Sequence, residues 1–252
     1  VDGAYTLTNG TLEFTNTDGA RILFSENEGD EVIVDADVLL GIAGTQIINV
    51  NTVGQKVTVN GDVSSSAASG VTTLMATSRN ATRPVSVELN GVISDGANAQ
   101  VGLTAGFDGD LATHRGVVRV TGANTYTGPT LINAAVLEID SIENIGGPAN
   151  SLGQPLAADA AIDIGNNNAP GIHRGTLRYI GPGHTTDRPI LMGGGVSDRA
   201  VIESSGAGPL VLNGDVLTNG NTHFFTLGGS NLGDNTFSGA LPPANGTGVT
   251  NL

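Results

Sequence analysis

The chain has no cysteine and no tryptophan, and its 252 residues hold a single lysine, Lys56. The missing cysteine excludes disulfides and thiolate metal sites. It also leaves passage through an oxidising compartment chemically unhindered. Aromatic residues make up 4% of the chain, too few for the thick, aromatic-anchored core of an Ig-like β-sandwich array, the alternative fold. No apolar run reaches the ~20 residues of a membrane helix. No basic stretch followed by an apolar one opens the chain at Val1-Asp2-Gly3. Positive charge is scarce, and the net charge is −14. Such a surface repels nucleic acid and anionic membrane alike, so neither is an expected partner, and the expected cofactor is none beyond weakly held surface Ca²⁺.

Glycine is abundant, at 38 residues where average usage would give roughly 18. Helical periodicity is almost absent, with one candidate turn between Leu156 and Ile162. Short strand-like runs recur instead, such as Glu31-Val32-Ile33-Val34 and Val136 to Ile139, each bounded by Gly, Asn, Asp or Pro. Asn-Gly pairs stand at Asn9, Asn60, Asn90, Asn213, Asn219 and Asn245. Both residues tolerate positive φ, so each pair predicts a corner. Small β-branched side chains and many corners predict a thin, repetitive β structure.

An internal repeat sharpens this. Val57-Thr58-Val59-Asn60-Gly61-Asp62-Val63 returns as Leu210-Val211-Leu212-Asn213-Gly214-Asp215-Val216. Gly10 to Phe14 (GTLEF) returns as Gly175 to Tyr179 (GTLRY), and Ser86 to Gly96 loosely matches Asn235 to Gly246. The order reads as one continuous β-helix over 1–252 with units of about 1–116 and 117–252, part of a longer array.

Val118 to Asp140 (VRVTGANTYTGPTLINAAVLEID) has strand-like flanks around Gly122, Asn124, Tyr126, Gly128 and Thr130, with Leu137 in the second strand. This spacing resembles the autotransporter-associated β-strand repeat. Asn150-Ser151-Leu152-Gly153 is similar to the segment that follows in that family, although Ala135 replaces the usual glycine before Val136-Leu137. The resemblance implies a right-handed parallel β-helix on an exported bacterial protein, at the cell surface or outside the cell. In such a fold like residues stack on like, the glycines turn the chain, Asn124 ladders its amide with backbone, and Tyr126 packs on a neighbouring coil.

Candidate chemistry is sparse. His114, His173, His184 and His223 lack the spacing of a metal site. Asp187, Arg188, Asp198, Arg199 and Glu203 form the densest charged cluster. By analogy with β-helical pectate lyases, the acids would hold a cation and Arg199 would abstract a proton; the plainer reading is ion pairing between coils. Asp159 and Asp163 are close in sequence but carry no further sign of a glycosidase pair. Gly193-Gly194-Gly195 has no following helix to make a phosphate site. Asn9, Asn80 and Asn245 open glycosylation sequons, expected to stay unmodified in a bacterial protein. The function expected is therefore structural and not enzymatic: a stalk, adhesin shaft or surface-layer component, with a glycan or cell-surface ligand as its partner. A self-assembling filament of copies stacked end to end is one alternative, and a polysaccharide lyase or hydrolase another.

Overall fold

The computed structural model describes residues 5–15, 21–24, 31–50, 56–78, 86–106, 116–165, 174–193, 198–219 and 223–242. Its strands form a parallel β-solenoid. The first face is a nine-stranded sheet built from Tyr5–Leu7, Glu31–Val34, Lys56–Val59, Val87–Leu89, Val117–Val120, Val136–Ile139, Arg174–Tyr179, Asp198–Ser204 and His223–Gly228, stacked in chain order. A second face follows in each coil, with three strands towards each end of the stack. The third face is an eight-stranded sheet, from Arg21–Phe24 to Val216–Thr218. Every pairing between these strands is parallel, which removes the Ig-like sandwich: a sandwich is closed by antiparallel pairs. Among the described residues the one helical turn is a 3₁₀ turn at Ala157–Asp159, inside the stretch where the sequence predicts it.

The register explains how so few large side chains fill a core. Inward positions of the first face pair Val32 with Val57, Val57 with Val87, Val87 with Val118, Val118 with Leu137, and Leu137 with Leu177. On the third face Leu103 lies under Thr130, then Ile162, Ile190 and Val216. Strands ~4.8 Å apart put each side chain on its equivalent one coil away, so methyl groups pack without wide rings. Nine such strands make a stack about 40 Å tall.

The corners correct the reason given for the Asn-Gly pairs. Asn9 and Gly10 do have positive φ, at 65° and 96°. Gly61, Gly91, Gly122, Gly128 and Gly214 do not. These glycines serve close approach. A Cβ on Gly61 would lie 2.1 Å from the Ala36 carbonyl oxygen, one on Gly91 2.1 Å from that of Gly61, and one on Gly122 2.4 Å from that of Gly91. The chain turns where backbone must stack directly on backbone, and only glycine fits.

The two Asn-Gly-Asp copies occupy different corners. The first lies between the first and second faces, the second between the second and third. Their chemistry is nevertheless shared. Val92 N–H donates to Asp62 Oδ1 at 2.8 Å, and Ala240 N–H donates to Asp215 Oδ1 at 2.8 Å. Asn60 donates to Asp35 at 2.8 Å and accepts from Asn90 at 3.0 Å, while Asn213 accepts from Ser238 at 2.7 Å. The repeated heptapeptide is a recipe for a corner, used at whichever corner needs it.

Candidate functional site

Between its two three-stranded ends, the second face carries the octet. Pro129 and Thr130 lead from it into the third face, and the preceding strand ends at Val120. Asn124 is fully buried and ties three coils together. Its Oδ1 accepts from Ile93 N–H at 2.7 Å in the coil before, and its Nδ2 donates to the Ser151 carbonyl at 2.8 Å in the coil after. Backbone bonds between Asn124 and Asn150 form an isolated antiparallel bridge. Asn150 shapes the returning loop, accepting from Leu152 N–H at 2.9 Å and donating to the Gly153 carbonyl at 2.8 Å. Tyr126 is buried beneath that loop: a Cβ on Gly153 would sit 2.9 Å from its ring. The Tyr126 hydroxyl bonds Thr130 Oγ1 at 2.8 Å, and burial pushes its pKa up to about 12. Gly128 passes over the Val101 carbonyl, which a Cβ would meet at 2.5 Å. The octet is a clasp.

On the outer side of the first face, charges alternate along one column. Glu88 pairs in register with Arg119, Arg119 with Glu138, Glu138 with Arg178, and Arg178 with Glu203. Arg119 Nε donates to Glu138 at 2.6 Å and Arg178 Nε to Glu203 at 2.7 Å. Lys56 extends the row, 2.6 Å from Glu88 and 3.3 Å from Glu31. Partial burial works against the charges of Lys56, Glu88, Arg119 and Arg178, yet the neighbours outweigh it: Lys56 and Arg119 hold Glu88 below its usual value, and the acids hold Lys56, Arg119 and Arg178 above theirs. The row fixes register by charge as the interior does by shape.

The cluster read from the sequence does not converge. Asp187 is exposed and accepts from Ile145 N–H at 2.7 Å. Arg188, its neighbour, points inward and is 1% exposed. Arg199 lies over the Phe224 ring on the outer face, 5.0 Å from its centroid. Glu203 belongs to the ion row. Asp198 opens a strand opposite His223, and its side chain lies outside the described residues, as do His114, His173, Asn80 and Asn245. Asp159 sits in the 3₁₀ turn. Asp163 stands on the outer side of the third face, in register between Leu131 and Leu191. Its carboxylate covers Gly193, where a Cβ would meet Oδ1 at 2.1 Å. Burial raises its pKa to about 6, with the Gly193 amide acting in the opposite sense.

Sequence reasoning missed three features. The ion row was hidden because its members are 19, 31 and 40 residues apart, and their adjacency needs the register. Tyr179 lies beside His184, with hydroxyl to Nδ1 at 2.7 Å and His184 Nε2 3.9 Å from Glu143, another contact between coils. The interior position of Arg188 had one available signal: in Thr186-Asp187-Arg188-Pro189-Ile190, period-two alternation back from the apolar Ile190 puts Arg188 on the inner side. Among the described residues, no three His, Asp or Glu side chains are grouped to hold a metal.

Comparison with known proteins gives one relative of note. The chain is 40% identical over 120 residues, 46% of its own length, to the adhesin BmaC, an autotransporter of Brucella suis biovar 1 (strain 1330). The chain spans about 3% of that protein's length. No family model matches the chain, and no solved structure does.

Proposed function

We propose that this chain is a structural segment of an exported bacterial surface protein, a stiff β-solenoid shaft of an adhesin. The observation that carries the reading is the unbroken parallel stacking of the first face. It is reinforced inside by Asn124 and outside by the ion row, with the charged side chains spent on contacts between coils. The likeness to an autotransporter adhesin supports placement at a bacterial surface. A shaft needs each coil to hold its neighbours and needs no reactive group.

A stack about 40 Å tall is a short piece of shaft, so its own hydrodynamics are a blunt test. Deletion is sharper. Removing residues 60–120 joins Val59 to Thr121, which keeps the alternation of the first face because Val59, Leu89 and Val120 share one register position, and shortens the shaft by two coils, roughly 10 Å. In bacteria that display the parent protein, antibody labelling of intact cells is expected to be unchanged while attachment to host-cell monolayers falls. Unchanged attachment at equal display refutes a shaft whose reach matters. A lyase or hydrolase is tested separately, by incubating the purified chain with acidic and neutral glycans. No turnover is expected, and turnover abolished by Arg199→Ala overturns the structural reading.

A further inference from the structure

Four Asn-Gly pairs lie wholly among the described residues, at Asn9, Asn60, Asn90 and Asn213, and all four asparagines are exposed. Such a pair is the least hindered setting for asparagine's own chemistry. The glycine amide nitrogen attacks the side-chain Cγ, with no Cβ in its path. Its N–H proton passes to water, ammonia leaves as the Cγ–N bond breaks, and a cyclic imide forms. Water then opens the ring at either carbonyl and leaves an aspartyl or an isoaspartyl residue. Exposure alone makes the four pairs equivalent, but the bonds around them do not.

Three of the pairs are tied into corners. Asn60 Nδ2 donates to Asp35 Oδ1 at 2.8 Å and Asn60 Oδ1 accepts from Asn90 Nδ2 at 3.0 Å. The Gly61 N–H that would attack is itself donated to the Val34 carbonyl at 3.2 Å. Asn90 is held at both ends of its amide, since its Oδ1 accepts from Thr121 Oγ1 at 3.1 Å. Asn213 is held at one end, accepting from Ser238 at 2.7 Å. Gly61, Gly91 and Gly214 each lie so close to a carbonyl of the coil before that a Cβ would meet its oxygen at 2.1 Å. Ring closure at any of these must first break side-chain bonds and lift the corner off the neighbouring coil.

The first corner differs, and the register shows why. Leu7 pairs with Val34 and Leu12 with Val38, so Thr8 to Thr11 span in the first coil what Asp35 to Asp37 span in the second. The third coil keeps the shorter connection, Asn60 to Asp62, because Val34 pairs with Val59 and Val38 with Val63. The first coil thus carries one residue more, and its corner bulges. Asn9 and Gly10 take φ of 65° and 96°, and a Cβ on Gly10 would meet nothing within 4 Å. Among the described residues, no hydrogen bond reaches the exposed Asn9 side chain or the Gly10 N–H.

We propose that Asn9-Gly10 is a site of spontaneous deamidation in the folded protein, and that the corner bonds protect Asn60, Asn90 and, less fully, Asn213. The open bulge has room for the extra backbone methylene of an isoaspartyl residue. At Asn60 the same event would set a new carboxylate against Asp35 and push Gly61 into the Ala36 carbonyl. The fold therefore confines the reaction to the one of these four corners that can absorb it.

The test is peptide mapping by mass spectrometry after the folded chain has aged in mildly alkaline buffer at physiological temperature. Electron-transfer fragmentation separates isoaspartyl from aspartyl products. Asn9 is expected to convert at least about tenfold faster than Asn60 or Asn90, because those two react only after local opening. The same chain aged in urea should convert all four asparagines at comparable rates. Asp35→Ala frees Asn60 Nδ2 and should speed conversion of Asn60 by about threefold, the effect of losing one exposed hydrogen bond, with Asn9 unchanged. Asn60 or Asn90 keeping pace with Asn9 in the folded protein overturns the proposal. So does an Asn9 that stays intact in the folded chain and converts only in urea, or an Asn60 as slow in Asp35→Ala as in the parent.

Discussion

Replacing Asn124 with alanine separates a dry interior from a merely well-ordered one. The side chain satisfies two groups that nothing else reaches: the Ile93 amide at 2.7 Å and the Ser151 carbonyl at 2.8 Å. Both residues are fully buried. A buried polar group left unpaired costs about 1–3 kcal/mol, so Asn124→Ala should destabilise the fold by about 3–5 kcal/mol. Asn60→Ala is the control. It breaks side-chain bonds of similar length, to Asp35 and from Asn90, but at an exposed corner where water replaces them at a cost below about 1 kcal/mol. Urea unfolding at 25 °C reads both variants, and hydrogen exchange reads the Ile93 amide directly, which should lose protection in the first variant only. Asn124→Asp adds a sign. The carboxylate still accepts from Ile93 but confronts the Ser151 carbonyl with a second acceptor, and burial raises its pKa. That variant should therefore be most stable below the unfolded carboxyl value of about 3.9 and lose stability as pH rises through it. If Asn124→Ala falls within about 1 kcal/mol of Asn60→Ala, water enters the coil and the dry clasp is wrong.

Three further outcomes are expected. Asp163 rises from 3.8 to about 6 on folding, so its protonated form stabilises the native state below pH 3.8, and that stabilisation is lost as pH climbs to about 6. Asp163→Asn should therefore gain about 1–2 kcal/mol at pH 7, after discounting for solvent screening, and nothing at pH 3; a gain independent of pH refutes the assignment. Glu138→Gln removes the buried carboxylate that Arg119 and Arg178 share from either side and should cost about 1–2 kcal/mol, against under about 0.5 for the more exposed Glu31→Gln. Equal costs in a denaturant series would make the ion row incidental. Gly61→Ala and Gly214→Ala each drive a Cβ to 2.1 Å from a carbonyl oxygen, whereas Gly228→Ala meets nothing within 4 Å. The first two should lose about 2–3 kcal/mol and the third almost nothing, as thermal melts would show.

The coil recipe was legible because it is local. Val57 to Val63 announces strand, corner and strand in seven residues, and the pattern recurs at Leu210 to Val216 with the same Asn-Gly-Asp-Val. The octet was legible as a pattern, with Asn124 and Tyr126 in the roles the resemblance gives them. What the sequence withheld depends on which residues the register brings together. Nothing in the spacing of Glu88, Arg119, Glu138, Arg178 and Glu203 makes them a row until unequal coils are aligned. Arg188 shows the other limit: beside Asp187 it reads as half of a surface pair, whereas strand alternation sends the two side chains to opposite sides of the wall. The glycine corners were found for the wrong reason, since positive φ and backbone crowding both select glycine and leave the same letter.

The unequal coils explain why the clasp sits where it does. Equivalent side chains are 25 residues apart towards both ends of the stack, as for Asn60 and Asp35 or Ser238 and Asn213. They are 30 or 31 apart where Asn90 meets Asn60 and Ile93 meets Asn124. Then Arg119 and Glu138 are only 19 apart, and Glu138 and Arg178 are 40. The octet coil is thus the shortest, and the coil after it the longest. A short coil cannot lay three full strands, and its second face has an isolated bridge in place of a ladder. The long coil supplies what is missing: its extra residues return as Asn150, Ser151 and Gly153 to bond Asn124 and cover Tyr126. The two coils close as a pair, so deletions in 140–156 should unfold the octet as surely as mutation of the octet itself. Stability in this part of the solenoid is therefore shared between neighbours and cannot be assigned to either coil alone.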